Sequence, residues 1–154
     1  MITHKKEKGF TIIEVVLVLA IAALIFLMVF IALPGLQRSQ RDSQRKNDLS
    51  RALNAVTSYT SNNRGALPAG QTGWNGLITN YLTAGGDTFI DPSGSDYAFK
   101  VTGTVPSAFD PEAPNIYVTV GSVCNGESLV ANQGTRKVAL QMKLEGGGID
   151  CRSN

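Results

Sequence analysis

Apolar residues are spread very unevenly along the chain, and one long block of them dominates its first quarter. Residues 15–33 are an unbroken run of 19 apolar residues. As an α-helix with a rise of 1.5 Å per residue, this run would span about 29 Å, close to the hydrocarbon thickness of a bilayer. A helix is required there, because lipid offers no water to the backbone N–H and C=O groups. The pattern predicts a membrane-spanning helix over residues 10–33.

The apolar run ends at Pro34 and Gly35, and a strongly polar segment follows. Proline removes a backbone donor and clashes with the preceding turn, so a kink or a locally melted stretch is expected at these two residues. A simple end of the membrane span is the alternative. Residues 37–48 contain no apolar side chain. Because a helix that is polar all round buries little of itself, residues 34–48 are predicted to be a kinked, solvated helical stalk.

Opposite charges in this stalk fall at helical spacing, where they can form ion pairs. The pairs are Arg38–Asp42, Asp42–Arg45 and Asp42–Lys46. The same basic cluster could contact DNA phosphates, which makes nucleic acid an alternative partner. A solvated helix face is favoured, because acidic residues interrupt the cluster. In addition, the formal net charge of +2 is already accounted for by residues 1–9, which leaves the remainder near neutral.

From residue 49 the pattern becomes that of a globular head, over residues 49–154. Apolar residues recur every three or four positions from Leu49 to Tyr59, which predicts one buried helix face over residues 49–63. Residues 61–65 supply a stop, and Pro68 lies beyond it. The connecting region 64–96 contains a short amphipathic helix with five apolar residues on one face: Trp74, Leu77, Ile78, Tyr81 and Leu82.

Three later stretches alternate apolar and polar residues with a period of two, which is typical of strands with one buried face. Their inward sets are Tyr97, Phe99 and Val101; Ile116, Val118 and Val120; and Val138, Leu140, Met142 and Leu144. Consecutive strands joined by loops favour an antiparallel sheet over residues 97–145. We expect its buried face to meet the apolar face of the helix. The predicted fold class is therefore α+β, with a long N-terminal helix packed on a small antiparallel sheet.

The two cysteines, Cys124 and Cys151, lie far from the membrane segment. No CxxC or Cys/His ligand set is present, so a zinc site is not expected. If the head lies outside the cell, a disulfide is the natural interpretation, whereas two free thiols would need a reducing compartment. A bridge would tie residues 146–154 back as a disulfide loop and stabilise the head by about 3.6 kcal/mol in the chain-entropy model.

Candidate catalytic and metal-binding residues are few. The one histidine, His4, lies among the first nine residues, so the rest of the chain lacks a Ser/His/Asp or Cys/His nucleophile system. The segment from Asp91 to Asp96 could offer oxygen ligands to calcium. Its spacing is not that of an EF-hand, and Asp-Pro and Ser-Gly are ordinary turn sequences. We expect no enzyme activity, no cofactor and no metal.

The segment before the apolar run permits three interpretations. The run is longer than the 7–15 apolar residues of an ordinary cleaved signal peptide, and no convincing cleavage site follows it. A plain signal anchor explains the run but neither Gly9 nor Glu14. Cleavage before the helix is the third interpretation. A carboxylate one turn into a membrane helix is costly, so Glu14 needs a partner or a route to the headgroups. Cleavage after Gly9 would create an α-amine on Phe10 that could pair with Glu14 of a neighbouring chain.

The segment Gly9-Phe10-Thr11-Ile12-Ile13-Glu14, with basic residues before it and the apolar helix after it, resembles the class III signal of type IV prepilins. The resemblance implies that prepilin peptidase removes residues 1–9 and methylates the new N-terminal Phe10. It also implies that Glu14, together with Thr11, acts in assembly, and that the segment around Pro34 can extend in a filament. The predicted helix, sheet and C-terminal disulfide loop are similar to the pilin fold.

The resemblance further implies a structural subunit of an extracellular type IV pilus-like filament that supports adhesion, twitching motility or DNA uptake. Its expected partners are further copies of the chain, prepilin peptidase, an inner-membrane assembly platform with its ATPase, and minor pilins. Before assembly the precursor would be a single-pass membrane protein with a cytoplasmic N-terminus, although basic residues on both sides of the span do not favour this orientation. A pseudopilin of a type II secretion or competence system and a monomeric membrane-anchored binding domain are the alternatives.

Overall fold

A computed structural model describes residues 9–101 and 103–154 of the chain. Helix α1 runs over Ile12–Asn62 and contains the whole apolar run, the polar segment and the amphipathic stripe. The chain divides after Gln37 into two units, an N-terminal helical unit and the unit Arg38–Asn154, called the head below. The expected leader, residues 1–9, lies outside the described residues except for Gly9.

Pro34 lies inside α1, and both Pro34 and Gly35 have helical backbone conformation. The locally melted stretch considered from the sequence is therefore not seen in this structure. A helix tolerates an internal proline at the cost of one backbone hydrogen bond, and a kink is the usual accompaniment. The kink at these two residues stays a prediction.

The head contains a four-stranded sheet and a separate two-stranded hairpin. The strands are β1 Ala98–Lys100, β2 Asn115–Val120, β3 Val123–Asn125, β4 Ser128–Val130, β5 Val138–Lys143 and β6 Ile149–Ser153. The sheet has the order β1-β2-β5-β6, and β3 pairs with β4. The β2–β5 and β5–β6 pairs are antiparallel, with Val118 opposite Leu140 and Gln141 opposite Cys151. The predicted α+β class is confirmed.

One pair in the sheet departs from the antiparallel expectation. Strands β1 and β2 run parallel, with Phe99 opposite Ile116. A hairpin needs only a few residues between its strands, whereas a parallel pair needs a crossover of roughly a dozen or more. Residues 101–114 supply that length and contain three prolines. The connection returns the chain to the end of the sheet at which β1 begins, so β2 runs in the same direction as β1.

The core of the head lies between the amphipathic part of α1 and one face of the sheet. Leu49, Ala52 and Val56 on α1 are fully buried, and so are Phe99, Ile116, Val138 and Leu140 on the strands. The short helix α2, Gly70–Leu77, continues into a π-helical turn, Ile78–Leu82, and adds Trp74, Leu77 and Leu82 to this core. The predicted stripe, short helix and inward strand residues therefore meet in one cluster, with two exceptions: Val120 is 46% exposed, and Leu144 is buried outside the cluster.

The C-terminal segment, expected as a disulfide loop over residues 146–154, contains an edge strand of the sheet. Strand β6 pairs with β5 over five residues of each strand. As a result, β5 is an internal strand with all of Val138–Met142 buried, including the polar Gln141. The side-chain amide of Gln141 donates to the Glu127 carbonyl beside the β3–β4 hairpin. Burial on both faces explains why β5 is apolar at Ala139, where alternation alone predicts an exposed position.

The expectation of a solvated stalk is wrong for three of its charged residues. Asp42, Arg45 and Asp48 are buried in the head, and the Arg45 side chain is completely inaccessible. Their neighbours Ser43, Gln44, Lys46 and Asn47 are exposed, so the polar segment has one buried face. That face is polar because its partners are polar: Arg45 pairs with two loop carboxylates, Asp42 accepts loop backbone N–H groups, and Asp48 accepts the Tyr97 hydroxyl.

Candidate processing and assembly site

The proposed cleavage site lies in an exposed, non-helical segment ahead of α1. Gly9 and Phe10 are both exposed, Phe10 by 88%. A Cβ atom added to Gly9 would meet no atom of the described residues within 4 Å. Packing against residues 10–101 and 103–154 therefore does not require a glycine here. If this position tolerates only glycine, the restriction comes from a molecule that acts on the segment.

Thr11 and Glu14 together form a capping box at the start of α1. The backbone N–H of Thr11 donates to Glu14 Oε2 (3.2 Å), and the Thr11 hydroxyl donates to the same oxygen (3.1 Å). In return, the N–H of Glu14 donates to Thr11 Oγ1 (3.4 Å). This reciprocal arrangement satisfies backbone donors that have no partner within the helix, and the carboxylate complements the positive end of the helix dipole.

Glu14, expected from the resemblance to act in assembly, thus has a second role in the chain's own helix that was not predicted from the sequence. The signal was available, because a Thr followed three residues later by a Glu just before an apolar run is the pattern of a capping box. The capping hydrogen bonds involve only one oxygen of the carboxylate, Oε2. Glu14 Oε1 has no hydrogen bond within the described part of the chain, so the group can still meet a second partner.

The helical unit that follows exposes nearly all of its apolar side chains. Ile12 and Ile13 are 86% and 75% exposed, and the residues of the apolar run are similarly uncovered. Helix α1 is long and apolar enough to cross a membrane, and none of its most apolar window is buried in the structure. Exposed apolar surface of this size is a membrane or protein interaction surface. On one side of the helix, Phe10, Glu14, Val15, Val18 and Leu19 line a common hollow, so the carboxylate lies within the apolar surface.

A comparison with protein-family models identifies this same segment. Residues 4–30 match the prokaryotic N-terminal methylation motif. The N-terminus is thus a prepilin-like class III signal, and the match supports a protein of the type IV pilin or pseudopilin kind. Together with the apolar helix, it indicates a membrane-anchored precursor. The matched region is less than a fifth of the chain and does not extend to the head. No curated protein and no solved structure gives a significant match.

In the head, a cluster of buried charges joins α1 to two loops. Arg45 donates from Nε and Nη2 to the two carboxylate oxygens of Asp91 (2.7 and 2.9 Å) and from Nη1 to Asp42 (2.9 Å) and Glu145 (3.1 Å). Asp42 also accepts the backbone N–H groups of Glu145 and Gly146 (2.9 and 2.7 Å). A Cβ atom at Gly146 would lie 2.9 Å from Asp42 Oδ2, so glycine permits this close approach.

The pKa shifts follow from this geometry. Burial alone would lower the pKa of Arg45, but hydrogen bonds to Asp91, Asp42 and Glu145 raise it above its ordinary value. Burial tends to raise the pKa of Asp91, and the hydrogen bonds from Arg45 and Ser93 lower it overall. The hydrogen bond from Arg41 is the main reason why the pKa of Glu145 falls to about 2. All of these groups are ionised at neutral pH.

The cluster contains residues from two interpretations of the sequence, the helical ion pairs and the calcium ligands. The predicted Asp42–Arg45 pair is present, whereas Arg38 lies near Glu145 instead of Asp42. Asp91, considered as a calcium ligand, directs both carboxylate oxygens to the Arg45 guanidinium. No group of three or more metal-binding side chains is found within residues 9–101 and 103–154.

The predicted cysteine pair is bonded. Cys124 on β3 and Cys151 on β6 form a disulfide with a Cα–Cα distance of 5.7 Å. The backbone N–H of Cys124 also donates to the Ser153 hydroxyl (3.1 Å). The bridge therefore fixes the β3–β4 hairpin to the edge strand β6, so the C-terminal residues form part of the sheet rather than only a disulfide loop.

Reduction of this disulfide should lower the thermal unfolding midpoint of the head. The two cysteines are 27 residues apart in the sequence. For a loop of this length the chain-entropy model gives a stabilisation of about 3.6 kcal/mol. Fluorescence of Trp74, the only tryptophan and a fully buried one, reports unfolding with and without reductant. The Cys124→Ser/Cys151→Ser variant is the control, since reductant should not change its midpoint. Equal midpoints for the oxidised and reduced wild-type protein would show that the bridge adds no stability.

Proposed function

We propose that this chain is the precursor of a structural subunit of a type IV pilus-like filament. Residues 1–9 are a leader that prepilin peptidase removes, and Phe10 becomes the N-methylated first residue. The observation that carries the proposal is the methylation motif at residues 4–30. The motif overlaps a helix whose apolar surface is left exposed by the described part of the chain. A motif of this kind belongs to structural proteins rather than enzymes, and we propose no catalytic role.

Assembly through the N-terminal helices explains why a membrane helix retains Glu14. In the precursor the carboxylate caps its own helix, while its second oxygen is unoccupied within the described residues. Cleavage after Gly9 would place a positive charge on Phe10, one turn before it. In a bundle of such helices the amine of one subunit and the carboxylate of the next attract each other strongly, because little water is present to screen them. Each charge also offsets the desolvation cost of the other.

The remaining partners follow from this mechanism. The membrane holds the precursor, an inner-membrane platform with its ATPase extracts it, and minor pilins start or cap the polymer. The head then lies on the outside of an extracellular filament, where adhesion, twitching motility or DNA uptake would take place. The Cys124–Cys151 bridge suits such an oxidising location.

The direct test is the mass of the native N-terminus in sheared surface fibres. We expect a chain that begins at Phe10 and carries one additional methyl group. If the processed chain never occurs in fibres and remains with a secretion or competence machine, the protein is a pseudopilin and not a pilin. If the mature chain still contains residues 1–9 and never sediments as polymer, the protein is a monomeric anchored domain and not a filament subunit.

Substitution of Gly9 by leucine should leave uncut precursor in the membrane. The Cβ atom of the new side chain would meet nothing among the residues that the structure describes, so their fold should not change and only recognition by the peptidase should be lost. Immunoblotting of membrane fractions distinguishes precursor from product by size. Gly35→Leu is the matched control, because Gly35 also has open space around it and lies outside the signal. Normal processing of Gly9→Leu, or equal loss of processing in Gly35→Leu, would contradict recognition of Gly9.

A further inference from the structure

The head contains an open cleft with a volume of about 740 Å³ that the filament mechanism does not use. Helix α1, the loop after Asp91, the long loop before β2 and the end of β5 form its walls. We call it the cationic cleft and define it by six lining residues: Arg38, Arg41, Ser93, Phe109, Lys143 and Glu145. Its volume lies in the range of small-molecule binding sites.

The charges that line the cationic cleft do not balance. Its one acid, Glu145, is already engaged by two arginines, through Arg41 (2.8 and 2.6 Å) and Arg45 (3.1 Å). Arg38 is 60% exposed and its Nε atom lies 3.9 Å from Glu145, at the outer limit of an ion pair. Lys143 has no salt bridge within the described part of the chain. Two cationic groups are therefore left without a close acidic partner.

A second acid near the cleft does not change this balance. Asp110 and Lys143 line a small neighbouring hollow. The Asp110 carboxylate accepts the backbone N–H of Glu112 (2.9 Å), and the two charged groups are not within ion-pair distance. Lys143 is thus free to contact an anion in the larger cleft.

The walls of the cleft are held in place before any ligand binds. The Phe109 ring lies 4.1 Å from the Arg45 guanidinium, which the buried charge cluster fixes. The hydroxyls of Ser93 and Ser95 both donate to the Pro111 carbonyl (3.0 and 2.8 Å), and these bonds join the two loops. Arg41 is fixed by two hydrogen bonds to Glu145. A preformed site avoids much of the entropy cost of binding.

We propose that the cationic cleft binds an acidic saccharide, with its carboxylate between Arg38 and Lys143 and a sugar ring against Phe109 and the neighbouring prolines. Arginine and lysine pair with a carboxylate, and the hydroxyls of Ser93 and Ser107 can hydrogen bond sugar hydroxyls. Two surplus cations suit one compact anion. They do not suit a nucleic acid, whose affinity depends on many phosphate contacts. The inference does not require polymerisation and goes beyond the proposed function.

The test is binding of trigalacturonate to the full chain in zwitterionic detergent, measured by calorimetry. The Arg38→Ala/Lys143→Ala variant should bind at least about tenfold more weakly, because it loses the charge-assisted hydrogen bonds. Lys46→Ala is the matched control, since Lys46 is exposed on the same helix outside the cleft, and it should bind as the wild type does. Unchanged Trp74 fluorescence would show that the variants are folded. Neutral galactotriose should not bind.

Four results would overturn the proposal. They are no binding of trigalacturonate, equal binding of the neutral trisaccharide, equal weakening in the Lys46→Ala control, and tighter binding of a short single-stranded DNA than of the saccharide. A fifth result, tighter binding of a sugar phosphate than of trigalacturonate, would also overturn it, because the recognised group would then be a phosphate and not a carboxylate.

Discussion

Replacement of Glu14 by alanine should abolish fibre formation and leave membrane insertion intact. The variant keeps the apolar run, so the helix still enters the bilayer. It loses the acid that would neutralise the Phe10 amine of a neighbouring subunit, and an unpaired charge in an apolar bundle is strongly unfavourable. We expect normal amounts of protein in the membrane fraction and no subunit in sheared fibres.

Loss of fibres in Glu14→Ala could also come from loss of the helix cap, because Glu14 caps its own helix, so control variants are needed. Loss of a cap typically costs about 1 kcal/mol and affects only the first turn. Thr11→Ala removes the hydroxyl from the cap and keeps the carboxylate, so it should form more fibre than Glu14→Ala, and any loss of fibre that it shows measures the part expected of Thr11 in assembly. Glu14→Gln keeps an acceptor for the Thr11 N–H and removes the charge, so its fibres should be absent.

These variants separate the two roles of the carboxylate. Fibres from Glu14→Gln would show that the group acts as a hydrogen-bond acceptor in its own helix and not as an intermolecular charge. Asp87→Asn, which removes an acid that is 78% exposed in the head, is the matched control and should assemble normally. Normal fibres from Glu14→Ala would remove Glu14 from the assembly mechanism altogether.

Local patterns predicted most of the fold and the prepilin-like signal at the N-terminus. The apolar run and the stripe from Leu49 to Tyr59 depend only on spacing along one helix, and both lie on α1. The strand predictions succeeded where one face is buried, as in β2 at Ile116 and Val118. Residues Gly9 to Glu14 are contiguous, so the sequence contains their whole arrangement.

Features that depend on distant partners could not be predicted in this way. Three-residue strands such as β3 and β4 are too short to show alternation, and β6 is identified as a strand only by its pairing with β5. The parallel direction of β1 and β2 depends on the path of the loop between them. A polar helix segment is predicted to be solvent-exposed unless its tertiary partners are known. The partner of Arg45 is Asp91, which lies 46 residues further along the sequence, so no local pattern shows that Arg45 is buried.

Substitution of Arg45 by alanine should be the most destabilising single change in the charge cluster. It would leave Asp91, whose side chain is completely buried, without a counter-charge, and Asp42 and Glu145 would lose a donor. Breaking a buried ion pair from one side typically costs about 3–5 kcal/mol. Urea unfolding of the full chain in detergent, followed by Trp74 fluorescence, measures the free energy of unfolding; urea is preferred because guanidinium would screen the charges.

Two further variants test whether the cluster itself is responsible. Arg38→Ala removes an exposed arginine of the same helix and should change the free energy of unfolding by less than about 0.5 kcal/mol. Adding Asp91→Ala to Arg45→Ala should cost less than the sum of the single changes, because the second substitution removes the orphaned charge. Additive effects, or equal losses in Arg45→Ala and Arg38→Ala, would show that the buried contacts contribute nothing specific.

The difference between wild type and Arg45→Ala should narrow as the pH falls below about 4.5. The pKa of Glu145 is about 2 in the folded head against an ordinary 4.5, and the pKa of Asp91 is also lowered. Since the unfolded chain binds more protons than the folded chain in this window, the stability that these carboxylates provide is complete above their ordinary pKa values. It is lost as the pH falls through the folded ones. Arg45→Ala lacks the part of this contribution that depends on Arg45, chiefly at Asp91, whereas Arg41 still lowers the pKa of Glu145. Its unfolding free energy should therefore depend less on pH between 4.5 and 2 than that of the wild type. A constant difference between the two proteins across that range would mean that the carboxylates do not stabilise the head through Arg45.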